Sequence, residues 1–142
     1  MKIRIKRFDK NIPLPQRHSA GAAAFDLTAR ETVSIPAQSV GYVPVNVAVE
    51  TPHGHFLFIA ARSSTHKRGL MLANGVGIGD PDFSGDADEY RLALYNFTAA
   101  PVIVERGDRI AQGTFVKFIE TEWEEVDLFG SDSRGGFGTT GR

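Results

Sequence analysis

The chain contains no cysteine among its 142 residues. Disulfide bonds, thiolate nucleophiles and cysteine-based zinc sites are therefore excluded. An excess of charge of either sign is also missing, since 16 basic and 17 acidic residues leave a formal net charge of −1. Such a balance provides no overall electrostatic attraction to a nucleic acid polymer or to an anionic membrane. Any binding of an anion must therefore depend on a few local groups.

Long hydrophobic runs are absent as well. The first residues, Met1 to Lys6, alternate charged side chains with isoleucine, which is typical of neither a signal peptide nor a membrane span. We therefore expect a cytoplasmic protein. The length of 142 residues predicts a single hydrophobic core, with room for one active-site architecture.

No segment sustains a helical period, and apolar and polar residues alternate with period two instead. This alternation predicts strands over residues 2–8, 32–35, 42–49, 55–59, 91–97, 102–104 and 110–118. Many short strands, interrupted by proline and glycine, predict an all-β sandwich, barrel or jelly roll. The acidic, glycine-rich residues 75–88 surround Pro81, so they predict an exposed hairpin or loop and not an interior strand.

The carboxyl-terminal residues predict an arm outside the packed body. We divide the chain into a body over residues 1–130 and a flexible, glycine-rich arm over residues 131–142. In the arm, glycines alternate with Arg134, Phe137 and two threonines. Glycine lets backbone N–H groups turn toward an anion, arginine can bind phosphate oxygens at two points, and a ring between glycines can lie on a nucleobase.

Four further segments carry polar groups that suit a nucleotide, over residues 20–27, 61–69, 74–85 and 107–112. The second of them places an arginine and two serines, with more cations behind them, just after an apolar strand end, which suits phosphate oxygens. The third offers carboxylates and an aromatic ring. A carboxylate close to water can act as a general base, and a ring against C2′ of a sugar excludes ribose.

Together with the arm, these segments resemble the five ordered motifs of the trimeric deoxyuridine triphosphatases (dUTPases). The resemblance covers the chain from Ala20 to its last residue. It implies an all-β jelly-roll β-barrel of the dUTPase type that hydrolyses dUTP to dUMP and pyrophosphate, with water attacking the α-phosphorus. It also implies a magnesium (Mg²⁺) cofactor and a homotrimer whose active sites are shared between subunits. Neither a nucleic acid polymer nor a membrane is an expected partner.

The resemblance also assigns roles to individual residues. The catalytic residues are Asp80, which orients the attacking water, and Gln112, which assists it. Asp26 holds magnesium through water, as this ion prefers when it is bound to a triphosphate. Lys67 and Arg109 are further candidates to neutralise phosphate charge. The implied substrate-binding residues are Arg62, Ser63, Ser64, Asn74, Gly77, Phe83, Arg134, Phe137, Gly138 and Thr139.

The third motif departs from the family pattern in three ways. Phe83 stands in place of a tyrosine that packs under the deoxyribose. Gly79 stands in place of a bulky residue, which predicts a looser wall around the base. Residues 86–89, Asp-Ala-Asp-Glu, lengthen the segment before the next strand.

The lengthened segment leaves alternatives open. Its carboxylates make Asp82 and Asp86 rivals of Asp80 for the catalytic position. Glu89 keeps open a dCTP deaminase, alone or bifunctional with dUTPase, because that relative shares the fold and needs a catalytic glutamate. A non-catalytic jelly-roll module that binds a nucleotide without turning it over is a third alternative.

Overall fold

Each segment of alternating sequence contains a strand. The computed structural model describes residues 1–136, which form eleven strands and one 3₁₀ helix. The strands are β1 (Ile5–Arg7), β2 (Phe25–Thr28), β3 (Val33–Ile35), β4 (Val40–Pro44), β5 (Val47–Val49), β6 (His55–Ala61), β7 (Leu70–Leu72), β8 (Gly77–Gly79), β9 (Arg91–Asn96), β10 (Val102–Val104) and β11 (Arg109–Lys117). The 3₁₀ helix spans Thr65–Arg68.

Antiparallel pairing joins these strands into four sheets, with the orders β2-β11-β6-β8, β4-β9-β7, β1-β5 and β10-β3. Their inward side chains form one hydrophobic core, whose most deeply buried members include Leu27, Leu57, Leu94, Ile110, Val43 and Val104. The all-β prediction is confirmed. A closed barrel is not seen, because hydrogen bonding between strands is interrupted between the four sheets of residues 1–136.

One interruption divides the strand predicted over residues 42–49. Asn46 has a left-handed backbone with φ of 67°, so the extended conformation stops between β4 and β5. The side chain of Asn46 is buried and bonded to the backbone of Asp9, accepting from its N–H at 2.6 Å and donating to its carbonyl at 3.0 Å. The chain therefore changes partner here, because β4 pairs with β9 and β5 pairs with β1. The first predicted strand is likewise shortened, from residues 2–8 to Ile5–Arg7.

Strands β2, β7 and β8 were not among the predicted ones. Each is only three or four residues long, and β8 consists of Gly-Ile-Gly, in which glycine gives no apolar-polar alternation. Strand β8 lies at the edge of its sheet, which agrees with the prediction that residues 75–88 contain no interior strand. A Cβ atom on Gly77 would lie 3.1 Å from Cβ of Ile59, so glycine lets β8 approach the core closely.

The described residues after β11, 118–136, contain no further strand or helix. This segment exposes large apolar side chains, namely those of Ile119, Trp123, Leu128 and Phe129. Across residues 1–136, no helix has the length and apolar character needed to cross a membrane.

Candidate active site

Strands β2 and β11 present polar side chains on the outer face of the four-stranded sheet, beside the end of β6. Gln112 of β11 lies opposite Asp26 of β2 and opposite Ala60 of β6. Residues directly opposite each other share a face of the sheet, so Asp26 and Gln112 are neighbours. The side-chain amide of Gln112 donates to the backbone carbonyl of Ala61 at 3.0 Å. This bond orients the glutamine and leaves its side-chain oxygen available to a donor such as water.

Asp26 is surrounded by the side chains of two arginines and a histidine. Its Oδ1 lies 2.9 Å from Nε of Arg62, and its Oδ2 lies 3.2 Å from Nη1 of Arg109 and 2.9 Å from Nε2 of His18. Arg62 also donates through Nη1 to the backbone carbonyl of Arg109 at 3.0 Å. Two arginines around one carboxylate leave a local positive charge. Guanidinium groups bind phosphate oxygens strongly, so this cluster suits a polyphosphate.

The turn after β6 holds Arg62 in place. The backbone N–H of Arg62 donates to Thr65 Oγ1 at 3.0 Å, and the N–H of Thr65 donates to the carbonyl of Arg62 at 3.0 Å. Thr65 is buried and its hydroxyl lies 3.4 Å from the carbonyl of Ile110. These bonds tie the turn to β11. Ser63 and Ser64 are exposed at the surface of the turn, where their hydroxyls can reach a ligand.

A second group of predicted residues lies around a cleft of about 750 Å³. Asp80 is exposed at the rim of the cleft, directly after β8. Phe83 donates its backbone N–H to the carbonyl of Asp80 at 3.2 Å, which closes a turn. The ring of Phe83 meets the ring of Tyr90 edge to face, with 5.1 Å between the centroids and 67° between the planes.

The two groups lie far apart within one chain. Strand β8 runs antiparallel to β6, with Gly77 opposite Ile59 and Gly79 opposite Leu57. Continuing this register by one residue places Asp80 level with the beginning of β6, whereas Arg62 follows its end. Strands rise about 3.3 Å per residue, so Asp80 and Arg62 are separated by about 20 Å along the sheet. A single chain does not bring Asp80 to the arginine cluster.

The remaining predicted residues are distributed as follows. Asn74 is exposed in the turn before β8, where its carbonyl accepts the N–H of Val76 at 2.8 Å. Gly77 begins β8, and Arg134 is exposed in the segment after the last strand. The predicted roles of Phe137, Gly138 and Thr139 lie outside the described residues.

Glu89 is engaged in the fold, which argues against a catalytic role in deamination. Its carboxylate receives Nε and Nη2 of Arg30 at 2.7 and 3.0 Å, and its Oε1 also accepts the backbone N–H of Asn46 at 2.9 Å. The hydrogen bond that Arg30 donates to Glu89 raises the pKa of Arg30, and burial partly opposes this rise. Glu89 is 8% exposed, so no free carboxylate is available there.

The structure does not show the looser wall around the base that Gly79 predicts. A Cβ atom on Gly79 would lie only 2.7 Å from Cε1 of Tyr90, so the ring of Tyr90 occupies the space that a side chain at position 79 would need. Reading the sequence alone missed this role of Tyr90, and it also missed His18 and Thr65. The signal for Thr65 was a hydroxyl three residues after Arg62, a spacing that suits a side-chain bond within a turn.

Fold and clusters together define an all-β protein whose polar clusters suit a nucleoside polyphosphate. A family model described as dUTPase matches residues 10–141. A deoxyuridine 5'-triphosphate nucleotidohydrolase of Desulfitobacterium hafniense is 40% identical over 147 residues, covering 99% of this chain and 95% of the relative. The enzyme of the same name from Lactococcus lactis is 33% identical over 150 residues and covers 99% of both chains.

Solved structures agree with this assignment. The crystal structure of a dUTPase from Streptococcus mutans has a TM-score of 0.76 at 30% identity, covering 84% of this chain and 98% of that one. A dUTPase of Staphylococcus bacteriophage 80alpha has a TM-score of 0.86 at 22% identity and covers 99% of both chains, which shows the shared fold. The chain belongs to the dUTPase family, whose members are nucleotide hydrolases, and its fold is the jelly roll of that family.

Proposed function

We propose that this dUTPase-family protein hydrolyses dUTP to dUMP and pyrophosphate. In this reaction a water oxygen bonds to the α-phosphorus, the bond to the oxygen that bridges to the β-phosphorus breaks, and the pyrophosphate leaves with that oxygen. The observation that carries the proposal is the cluster formed by Asp26 and Gln112, which share one sheet face, and Arg62, whose Nε lies 2.9 Å from Asp26. Positive charge beside an oriented amide is what an attack on a polyphosphate needs.

Phosphate binding falls to the turn after β6. Arg62 has its guanidinium anchored at 2.9 Å on Asp26, and Arg109 stands beside it. The exposed hydroxyls of Ser63 and Ser64 add donors for phosphate oxygens. In the proposed closed state, Arg134 of the arm over residues 131–142 contacts the phosphates and Phe137 covers the uracil. Such closure keeps bulk water away from the reacting phosphate.

The residues fit a magnesium ion that is held through water. Both carboxylate oxygens of Asp26 already face arginine or histidine nitrogens at 2.9 to 3.2 Å, so direct ligation would have to displace a cation. Within residues 1–136, no cluster of three or more histidine, aspartate or glutamate side chains could enclose a metal. Asp26 can still hold the hydration water of an ion bound to the triphosphate. Such an ion would neutralise negative charge on the phosphates.

Asp80 and Phe83 provide the base and the sugar gate. Asp80 is exposed and carries no ion pair among the described residues, so its carboxylate can accept the proton of the attacking water. Phe83 is 39% exposed at the same cleft, where its ring can lie against C2′ and exclude a ribose hydroxyl. Main-chain groups of residues 74–80 pair with uracil in this arrangement.

We further propose a homotrimer in which neighbouring subunits share each site. Separation of Asp80 from Arg62 by about 20 Å along one sheet supports this arrangement, because a second chain can join the two groups. Apolar side chains on the outer face of the sheet support it as well, including Ile78, which is 56% exposed, and Val116. In a threefold ring each contact between subunits repeats identically, so three equal sites form.

Mixing two inactive variants tests both the activity and the sharing of sites. The Arg62→Ala and Asp80→Asn chains are each expected to lose most dUTP hydrolysis. In an equimolar mixture that is unfolded and refolded together, about one quarter of the sites would combine intact groups from neighbouring subunits. Activity should therefore recover to about a quarter of the normal level. A mixture without recovery contradicts shared sites, and full activity of either single variant contradicts its assigned role.

The matched control is a mixture of Arg62→Ala with Gln112→Ala. Both residues belong to the cluster of one chain, so no arrangement of these two variants yields an intact cluster. Recovery in this control above the level of the single variants would show that Arg62 and Gln112 of one site come from different chains, which contradicts the assignment of the cluster to one chain.

Product analysis distinguishes the proposed function from its rivals. Pyrophosphate release from dUTP, with little from UTP, dCTP or dTTP, is the expected result. Ammonia released from dCTP would favour a deaminase, and dUTP binding without any turnover would favour a binding module. We expect the enzyme to act on free nucleotide, since a net charge of −1 offers no general attraction to polymers or membranes. The cytoplasmic location stays a prediction.

A further inference from the structure

Tyr90 lies behind the cleft that holds Asp80 and Phe83, and its backbone is fixed on both sides. Its N–H donates to the carbonyl of Val47 at 3.0 Å, and its carbonyl accepts the N–H of Val45 at 3.0 Å. The residue is 7% exposed. With the backbone held and the side chain buried, the ring has little freedom to move.

The ring of Tyr90 touches two parts of the cleft at once. On one side it fills the space above Gly79, where a Cβ atom would lie 2.7 Å from Cε1 and 2.8 Å from Cζ. On the other side it meets Phe83 edge to face at 5.1 Å. Aromatic pairs in this arrangement attract each other beyond the effect of burial. Tyr90 therefore lies between strand β8 and the ring of Phe83.

The hydroxyl of Tyr90 adds no anchor of comparable strength. Tyr90 Oη and Thr51 Oγ1 are both buried, and neither has a hydrogen bond of good geometry. Burial raises the pKa of Tyr90, nearby Thr51 lowers it, and the negative charges of Asp80 and Asp88 raise it further. The phenol therefore stays neutral, and its ring acts through shape.

We propose that Tyr90 is a positioning residue for sugar selection, because its ring sets the distance between the main chain of β8 and the ring of Phe83. This inference rests on the proposed function, in which β8 pairs with uracil and Phe83 excludes ribose. Phe83 has no hydroxyl that could hold it by a hydrogen bond, and it is 39% exposed. Its orientation against the sugar therefore depends on packing, and the aromatic partner in that packing is Tyr90. Glycine at position 79 and tyrosine at position 90 form a matched pair of small and large residues.

The test compares the ratio of kcat/KM for dUTP to kcat/KM for UTP in Tyr90→Leu and Tyr90→Phe. Leucine removes the ring, so the ratio should fall at least about tenfold, whereas phenylalanine keeps the ring and should hold the ratio within about threefold of the unmodified enzyme. Tyr95→Leu is the matched control, because Tyr95 lies in β9 opposite Val40 and Met71, away from the cleft. It should leave the ratio unchanged. Equal falls in all three variants would overturn the proposal.

Gly79→Ala changes the other member of the contact between Gly79 and Tyr90. It tests the proposal independently if Tyr90→Leu fails to fold. The added methyl would collide with the ring of Tyr90, so the ratio should fall. In the double variant Gly79→Ala/Tyr90→Leu the methyl has space, and the damage should be less than the product of the single effects. A folded Gly79→Ala enzyme with an unchanged ratio would overturn the proposal.

Phe83→Ala separates failure of this inference from failure of the proposed function. If Phe83→Ala lowers the ratio and a folded Tyr90→Leu enzyme does not, Phe83 is the sugar gate and Tyr90 does not position it. If neither variant changes the ratio, Phe83 is not the sugar gate, and both the inference and that part of the proposed function are overturned.

Discussion

Arg30 and Glu89 form an ion pair through two parallel hydrogen bonds, with Nε to Oε1 at 2.7 Å and Nη2 to Oε2 at 3.0 Å. The Glu89 side chain is 6% exposed. The pair connects the end of the acidic segment, residues 86–89, to the connection between β2 and β3. The backbone N–H of Asn46 donates to the same carboxylate, so three separate parts of the chain meet there. Glu89 thereby stabilises the fold around the break between β4 and β5.

Replacing Arg30 with methionine should destabilise the protein strongly. The change leaves the buried Glu89 carboxylate without its charged partner, which costs about 3 kcal/mol in typical buried pairs. Urea denaturation measures the free energy of unfolding. Arg4→Met is the matched control, because the Arg4–Glu50 pair is exposed, with side chains 88% and 52% accessible, and should lose less than about 1 kcal/mol. Equal losses in both variants would contradict a special role of the buried pair.

Asp80→Asn should abolish most turnover and preserve binding. The amide keeps the shape of the side chain and removes the base, so kcat should fall by about 10²-fold or more, with the affinity for a nonhydrolysable dUTP analogue changed by no more than about tenfold. Steady-state kinetics and calorimetry measure the two quantities. Asp82→Asn, in the same exposed turn, is the control and should remain active. An inactive Asp82→Asn or Asp86→Asn beside an active Asp80→Asn would show that the catalytic carboxylate was misassigned.

Ending the chain after Ser133 should leave a folded protein with weak catalysis. The last strand ends at Lys117, and residues 118–136 contribute no strand pairing, so the thermal midpoint and the oligomeric state should stay close to those of the full chain. Loss of Arg134 and Phe137 should lower kcat/KM for dUTP, because the arm then cannot close. Removing Arg142 alone serves as the control and should have little effect. A truncated chain that unfolds or dissociates would instead give the arm a structural role.

The ion pair between Asp9 and Arg106 should stabilise the protein in a pH-dependent manner. The hydrogen bond from Arg106, followed by that from the Asn11 backbone, lowers the pKa of Asp9 below its ordinary value. The pKa of an aspartate in the unfolded chain is about 4. When the folded state lowers this pKa, ionisation of the carboxyl stabilises the fold at pH values above the unfolded pKa. This stabilisation is lost as the pH falls through the pKa of the folded state. The Arg106→Ala variant should therefore melt below the unmodified protein at pH 7, with a difference that narrows in acid.

Melting curves recorded between neutral pH and about pH 3 measure this narrowing. Arg17→Ala is the control, since Arg17 is exposed and has no ion pair among the described residues, and it should shift the midpoint little at any pH. A difference between Arg106→Ala and the unmodified protein that stayed constant over the whole range would contradict the lowered pKa of Asp9.

Local pattern located the longer strands and also the short strands β3 and β10, but it did not locate β2, β7 and β8 or the break at Asn46. Strands β6, β9 and β11 have enough residues for period-two alternation, and they lie close to where that alternation predicts them. The break at Asn46 could not be read in this way. Hydrogen bonds to Asp9, a residue distant in sequence, hold Asn46 in its left-handed conformation, and period-two alternation around position 46 does not show them.

The sequence by itself determined the family and the kinds of residue available to the site. Motifs are local, and the arginine, serines, aspartates and glutamine of the proposed site each stand within one of them. Their order along the chain was enough to indicate a dUTPase, as the family match confirms. The roles of the individual residues stay predictions until the variants above are measured.

Only the tertiary structure decided where these residues lie relative to one another. Strand register places Asp26 beside Gln112 and keeps Asp80 away from Arg62 within one chain. Side-chain packing engages Glu89 with Arg30 and fills the space above Gly79 with Tyr90. Register and packing both depend on contacts between residues far apart in sequence, because burial and hydrogen bonding are satisfied by whichever groups the fold brings together. Local sequence therefore does not distinguish a carboxylate that is free to act as a base from one that forms an ion pair in the fold.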